Sequence, residues 1–238
     1  MNYQIGSSIG GNDLINVSGN VSLDGTLNIT TLTGFGAGTY LLMNVGGASG
    51  TISTVTGLPA PAKNSYGFTV GYTASVSTAA NQVNLNVGIV GDVIGAGALN
   101  PTTAAADIDA IYRHFGTVTT TNGLALYDLN GSGAVTAADV TYMLTQILHS
   151  NYGDATLDGK VGIDDFSVLL AHWGSTSAGW AEGDFTGDGV VGIDDFSVLL
   201  SNWGWTASSQ SMAMQTPEPA TLSLLALGGL ALLRRSRR

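Results

Sequence analysis

The segment GIDDFSVLL occurs twice in the chain, at residues 162–170 and again at residues 192–200. Each copy follows a loop rich in Asp and Gly, GDATLDGKV before the first and GDFTGDGVV before the second. The apolar residues of the first copy are Ile163, Phe166, Leu169, Leu170 and Trp173, and those of the second are Ile193, Phe196, Leu199, Leu200 and Trp203. This spacing predicts amphipathic helices whose apolar faces form a core. The chain therefore contains a duplicated loop–helix unit.

Both loops fit the twelve-position EF-hand pattern, in which oxygen ligands converge around a glycine at position 6. The first loop would supply Asp154, Thr156, Asp158, Lys160 through its carbonyl, and Asp165. The second would supply Asp184, Thr186, Asp188, Val190 through its carbonyl, and Asp195. Calcium is a hard cation that takes six to eight oxygen ligands, so we predict Ca²⁺ in both loops. For any single loop, a plain Asp/Gly turn is the alternative.

A third, diverged loop lies upstream. Its predicted ligands are Asp128, Asn130, Ser132, Ala134 through its carbonyl, Thr136 and Asp139. With two carboxylates in place of three, it is expected to bind calcium more weakly. A fourth half-unit, AADIDAI at residues 105–111, resembles the start of the third helix, but counting back eleven positions from Asp107 reaches Ala96, which has no ligand. We interpret that half-unit as a packing partner only.

Paired Asp-x-x-x-Asp-Gly loops, each followed by a helix and lacking the incoming helix of a full EF-hand, resemble the type I dockerins. The resemblance is close over residues 152–204 and loose over residues 103–150. It implies a calcium-folded, all-α domain of half EF-hands and a cohesin-like protein partner. Extracellular calcium modules have dissociation constants of about 10⁻⁴–10⁻³ M, and we expect the same range here.

Residues 1–97 show short period-two alternation broken by Gly, Asn, Asp and Ser, as in VNLNV at residues 83–87. This pattern favours short stacked strands, in either a β-solenoid or an irregular β-sandwich. Residues 9–90 are similar to the closing section of autotransporter-associated β-strand repeat proteins. Because this region has no His, Glu or Arg, no acid/base pair can form within it, and we predict no enzyme activity and no catalytic residue.

The charge distribution separates two regions. Residues 1–106 contain only Asp13, Asp24 and Asp92, whereas the acidic residues are concentrated further along the chain. The chain has 17 acidic against 7 basic side chains, a balance that argues against a nucleic-acid partner. It has no Cys, which excludes disulfides and thiol chemistry.

The C-terminal residues combine three features. Pro217, Glu218 and Pro219 precede an apolar run at residues 220–233, and four arginines follow in the last five positions. The run is shorter than the roughly 20 residues that span a bilayer comfortably, and the arginines would hold its end in the cytoplasm. This arrangement resembles the PEP-CTERM sorting signal. The resemblance implies export from a Gram-negative-type bacterium, transient anchoring in the inner membrane through a C-terminal helix, and processing by an exosortase.

The sequence thus predicts an α+β multidomain chain. Its parts are a β-rich solenoid- or sandwich-like region (1–97), a diverged dockerin-like unit (98–150), an all-α dockerin-like calcium pair (151–205), a linker (206–216) and a sorting signal with a transmembrane helix (217–238). We expect a structural or adhesive protein of the cell surface or extracellular matrix, with a cohesin-like domain or surface polysaccharide as a further partner. The alternative is the non-catalytic end of a polysaccharide-degrading enzyme. No signal peptide follows Met1, so we expect sequence upstream.

Overall fold

The computed structural model describes residues 2–5, 14–32, 35–79, 81–118 and 124–207. Eleven strands occupy the described residues of the N-terminal part. They are β1 (Asn2–Ile5), β2 (Ile15–Asn16), β3 (Asn20–Leu23), β4 (Thr26–Thr31), β5 (Gly38–Asn44), β6 (Gly47–Gly50), β7 (Thr54–Thr56), β8 (Ala62–Lys63), β9 (Thr69–Val70), β10 (Tyr72–Ala79) and β11 (Gln82–Ile89). These strands form several small sheets rather than one large one.

The first seven strands pair in parallel with strands that lie about 26 to 28 residues away along the chain. Strand β4 pairs with β1 and β7, β3 pairs with β6, and β2 pairs with β5, all parallel. The hydrogen bond from Asn44 to Asn16, and that from Ser53 to Gly25, each join residues 28 apart. The chain therefore returns to the same lateral position after each such interval. Gly57 has a φ of +88°, and a Cβ there would collide with the carbonyl oxygen of Ile29, so the close stacking requires glycine.

A mixed sheet, antiparallel except at its edge strand β2, completes this region. Strand β11 lies between β10 and β5, and β2 pairs with the far edge of β5. Val83, Leu85 and Val87 of β11 are buried, while the asparagines between them are partly exposed. The period-two alternation of the sequence thus places one face of β11 on the core. That core also contains Leu23, Leu27, Ile29, Tyr40, Leu42, Met43 and Val45.

The remaining elements follow residue 100. They are α1 (Pro101–Arg113), β12 (Gly116–Thr117), a 3₁₀ turn (Leu124–Leu126), β13 (Ala134–Val135), α2 (Ala137–Tyr142), a π-helical turn (Met143–Leu148), α3 (Ile163–Ala171), a 3₁₀ turn (Trp180–Glu182) and α4 (Ile193–Ser201). Ile108, Ile111, Leu144, Leu169 and Leu199 contribute to one buried apolar cluster that joins all of these helices.

The prediction of an all-α C-terminal module is wrong. Strands β12 and β13 pair antiparallel, and isolated bridges join Lys160 to Thr206 and Thr176 to Val190. Ala134, Lys160 and Val190 each follow the position-6 glycine of a loop, where the chain runs extended toward the next helix. Extended backbone leaves its amide and carbonyl groups free to pair with a neighbouring extended segment. The described part of the chain is β-rich, with small sheets and four α-helices. The predicted C-terminal hydrophobic helix lies outside the described residues.

The predicted apolar stripes of α3 and α4 are also only partly core. Leu169 and Leu199 are fully buried, and the rings of Phe166 and Phe196 meet with centroids 5.8 Å apart. The outer members of both stripes are 48–64% exposed, namely Ile163, Leu170, Trp173, Ile193, Leu200 and Trp203. Helices α3 and α4 therefore bury only those apolar side chains of each other that lie between them. The outer halves together form an exposed apolar surface, which we call the outer apolar face.

Candidate metal-binding loops

The first carboxylate of the loop at residues 154–165 organises its backbone. Asp154 is fully buried. Its Oδ2 atom accepts hydrogen bonds from the Ser150 hydroxyl (2.7 Å) and the Gly159 amide (3.0 Å), and its Oδ1 atom accepts one from the Asp158 amide (3.2 Å). The glycine at position 6 has a φ of +81°, which turns the chain sharply enough for these donors to face one carboxylate.

The last carboxylate of this loop, Asp165, approaches from helix α3. It is 2% exposed. Its Oδ1 atom accepts hydrogen bonds from the amide (3.1 Å) and hydroxyl (3.0 Å) of Thr156, and its Oδ2 atom accepts one from the Gly162 amide (2.9 Å). The hydrogen bond from the Gly162 amide caps the N-terminus of α3, where a negative charge is favourable. The helix cap therefore fixes position 12 beside positions 1 and 3.

The loop at residues 184–195 repeats this arrangement. Asp184, 3% exposed, accepts from the Gly189 amide (2.8 Å) and the Thr186 hydroxyl (3.2 Å). Asp195, 1% exposed, accepts from the amides of Thr186 (3.1 Å) and Gly192 (2.9 Å). The two loops thus share the hydrogen bonds from positions 3 and 6 to the first and last carboxylates, as local side chain–backbone hydrogen bonding dictates.

The diverged loop at residues 128–139 has the same framework. Asp128 accepts from the amides of Ser132 (3.0 Å) and Gly133 (2.9 Å). Asp139, which is fully buried, accepts from the amides of Asn130 (3.2 Å) and Thr136 (2.8 Å). Asp128 is only half-buried and Asn130 is exposed, so this loop is more open to water than the other two. The predicted carbonyl ligand Ala134 belongs to β13 and pairs with Thr117.

The position-5 carboxylates lie apart from the buried pairs. Asp158 and Asp188 are exposed, and each accepts a hydrogen bond from the amide two residues on, that of Lys160 (3.0 Å) or Val190 (2.8 Å). Within the described residues, no group of three or more His, Cys, Asp and Glu side chains is close enough to hold a metal ion. In the two repeated loops the structure therefore brings together the side chains of positions 1, 3 and 12, but not that of position 5.

The electrostatics around Asp154 favour a cation. Burial raises the pKa of Asp154 to about 6, the Ser150 hydrogen bond lowers it, and the charge of Asp165 raises it further. Among the described residues, the ion pairs are Arg113–Asp109 and Lys160–Asp158, so neither pair neutralises Asp154 or Asp165. Two buried carboxylates and a hydroxyl form an all-oxygen donor set with uncompensated negative charge, which fits Ca²⁺.

Three further side chains contact this region, and the loop pattern did not identify them. Ser150 binds Asp154 as described, Asp109 of α1 accepts from the Trp180 amide (2.8 Å), and the Tyr112 hydroxyl donates to the Phe185 carbonyl (2.8 Å). Burial raises the pKa of Asp109. A cavity of about 300 Å³ lies between α1 and the loop at residues 184–195. Helix α1 therefore supports the loop at residues 184–195, a long-range contact that has no signature in local spacing.

The sorting-signal residues Pro217, Glu218 and Pro219 lie outside the described residues. Within those described, the structure contains no helix that is both long enough and apolar enough to cross a membrane. The chain matches the family model of the PEP-CTERM protein-sorting motif over residues 215–238. No curated protein and no solved structure matches the chain. The predicted sorting signal is confirmed, and it indicates an exported surface protein that is targeted to an exosortase and held only transiently at the membrane.

Proposed function

We propose that this chain is a structural or adhesive protein of the cell surface or extracellular matrix whose loops at residues 128–139, 154–165 and 184–195 are stabilised by Ca²⁺. The observation that carries this proposal is the buried pair formed by Asp154 and Asp165, which no Lys or Arg among the described residues neutralises. Asp184 and Asp195 repeat that pair. Buried like charges oppose folding unless a cation compensates them.

Calcium suits the proposed location. An exported protein folds where calcium is plentiful, and binding of the ion to the folded state alone stabilises that state by mass action. At a calcium concentration one hundred times the dissociation constant, each site contributes about 2.7 kcal/mol. The ion would be held by the paired carboxylates with Thr156 or Thr186, and it would supply the positive charge that the pairs lack.

The outer apolar face supports the adhesive part of the proposal. Trp173 and Trp203 are about half exposed, and Ile163 and Ile193 are more than half exposed. Contiguous apolar surface of this kind on a folded domain marks a contact site, and Trp is enriched at protein interfaces. A protein partner with an apolar surface, such as a cohesin-like domain, would cover it.

A non-catalytic role is consistent with the histidines. His114 and His172 each bond the carbonyl one helical turn earlier, at 2.6 and 2.9 Å, and His149 bonds Thr69. The rings of His114 and His172 are tied to local backbone. His149 does meet a threonine hydroxyl, but no carboxylate among the described residues hydrogen-bonds and orients its ring, as the base of a catalytic triad requires.

The test is a calcium titration of the full chain in detergent, followed by circular dichroism and thermal melting. Calcium should raise the melting temperature of the wild type, and the Asp154→Asn/Asp184→Asn variant should lose most of that increase. The matched control is Asp164→Asn/Asp194→Asn, which removes two exposed neighbours of the position-12 ligands and should respond as the wild type does. A wild type that melts at the same temperature in calcium and in chelator would overturn the proposal.

A further inference from the structure

A further pair of buried carboxylates lies outside the three predicted loops. Asp92 follows strand β11 and is 8% exposed, and Asp107 belongs to helix α1 and is fully buried. The Ile94 amide donates to the Oδ1 atom of Asp107 (3.0 Å). The two carboxylates are close enough for the charge of Asp92 to disfavour ionisation of Asp107.

The backbone around Asp92 has the hydrogen-bond framework of the three loops. Asp92 accepts from the amides four and five residues on, those of Ala96 and Gly97, both at 2.7 Å. Asp128 does the same with Ser132 and Gly133. The amide two residues after the first carboxylate donates to the last carboxylate in every case, from Ile94 to Asp107 as from Thr156 to Asp165. Residues 92–107 therefore form a fourth loop of the same kind.

The spacing of this loop differs, which is why the twelve-position count failed. Helix α1 begins with its own N-cap, Asn100, whose amide donates to the Thr103 hydroxyl (3.0 Å). Asp107 lies one helical turn further in. The additional residues separate Asp92 from Asp107 by more than eleven positions, so the count back from Asp107 reached Ala96 instead of the carboxylate that the fold brings there.

Because Asp107 lies deeper in its helix than the last carboxylates of the other loops, its Oδ2 atom has different surroundings. In the other three loops the Oδ2 atom of the last Asp accepts from the N-cap amide, that of Thr136, Gly162 or Gly192. In α1 the hydroxyl of Thr103 accepts the hydrogen bond from the N-cap amide of Asn100. The Oδ2 atom of Asp107 is therefore buried without a hydrogen-bond partner. An unpaired buried carboxylate oxygen is costly. A cation would satisfy this oxygen and offset the charges of both carboxylates.

We propose that Asp92 and Asp107 hold a further calcium ion, together with oxygen atoms of the loop that joins β11 to α1. The identity of the ion rests on the proposed function of the other loops, while the site itself rests on the unpartnered oxygen. Burial raises the pKa of Asp107 to about 7, as it must where a charge lacks its counter-ion. This ion would join the end of the β-rich region to the first helix.

The experiment counts calcium ions on the full chain by native mass spectrometry from detergent, with calcium chloride as the probe. The wild type should carry one more ion than Asp107→Asn, which keeps the side-chain shape and an acceptor for Ile94. Asp164→Asn, an exposed neighbour of a ligand, should carry the wild-type number. The triple variant Asp128→Asn/Asp154→Asn/Asp184→Asn should retain one ion.

The outcomes separate this site from the proposed function. A wild type that binds calcium and an Asp107→Asn variant that binds the same number would overturn the fourth site and leave the three loops intact. Loss of all calcium in a folded triple variant would do the same. No calcium on the wild type would overturn both. If the triple variant does not fold, thermal melting of Asp107→Asn and the wild type, each in chelator and in calcium, takes its place. In chelator Asp107→Asn should melt at the same temperature as the wild type or higher, and calcium should raise its melting temperature by less. A lower melting temperature of Asp107→Asn than of the wild type in chelator would show that the Asp107 carboxylate stabilises the fold without an ion, and would overturn the fourth site.

Discussion

The indole nitrogen Nε1 of Trp180 donates a 2.8 Å hydrogen bond to the backbone carbonyl of Asp154, and both residues are fully buried. Trp180 lies in the 3₁₀ turn before the loop at residues 184–195, so this bond connects the two repeated units. The backbone amide of Trp180 in turn donates to Asp109 of α1. Through its side chain and its backbone, this one residue thus links the first ligand of one loop, the entry to the next loop and helix α1.

Trp180→Phe should destabilise the protein by about 3 kcal/mol, because it removes part of a buried ring and leaves the Asp154 carbonyl without its partner. It should also weaken calcium binding by moving Asp154. The check is chemical denaturation with and without calcium. Trp173→Phe, at a half-exposed tryptophan of the outer apolar face, is the matched control and should change stability by less than about 0.5 kcal/mol. Equal effects of the two substitutions would contradict the assigned role.

Stability in chelator should fall as the pH rises from about 4 to about 7. The folded-state pKa of Asp154 is about 6 against an ordinary value of 3.8, so the folded state binds more protons than the unfolded state in this window. The stabilisation is complete below the lower value and lost above the higher one. The difference corresponds to about 3 kcal/mol. Asp107, with a pKa of about 7, extends the window upward in the same direction.

Denaturation curves between pH 4 and pH 8 measure this dependence. Calcium should flatten it, since a bound cation favours the ionised carboxylates. Asp154→Asn should flatten it in chelator, while the exposed Asp164→Asn should not. A stability in chelator that rises over the same pH range would show that the Asp154 carboxylate is stabilised in its charged form without an ion.

The loop residues were predictable from the sequence because each loop is a local structure. Positions 1, 3 and 12 are brought together by hydrogen bonds within the loop and its helix cap, as at Asp184 and Asp195. The pairing of Asp92 with Asp107 was missed because an additional helical turn separates the two residues by more than the eleven positions of the EF-hand pattern, although the hydrogen bonds of the loop are retained. Position 5 was expected to face inward, yet Asp158 turns to the Lys160 amide instead.

The sheets illustrate a second limit. Alternation at residues 83–87 predicted a strand at β11, but nothing local states that β4 pairs in parallel with β1 and β7. Strands β12 and β13 are two residues each, too short for any periodicity to register. The all-α expectation failed there because backbone pairing of extended residues depends on which segments tertiary packing brings side by side.

Gly57→Ala should destabilise the β-rich region strongly, by more than about 2 kcal/mol. Its φ of +88° disfavours any Cβ, and the added atom would also collide with the Ile29 carbonyl of the neighbouring strand. Gly25→Ala is the matched control, because Gly25 has a similar φ of +83° with no atom within 4 Å of the added Cβ. It should cost only the conformational penalty of about 1 kcal/mol. Thermal melting distinguishes the two, and equal losses would contradict the close parallel stacking.

Replacement of Pro217, Glu218 and Pro219 by alanine should prevent processing of the chain. These residues lie within the matched sorting motif at residues 215–238, while the apolar run and terminal arginines, which we expect to hold the chain in the membrane, remain. The variant should therefore accumulate as an unprocessed, membrane-bound form. Immunoblots of membrane and surface fractions from the native host measure this, with Ser208→Ala/Ser209→Ala upstream of the motif as the control. Release of the alanine variant at the mature size, at the wild-type rate, would show that processing does not depend on this motif.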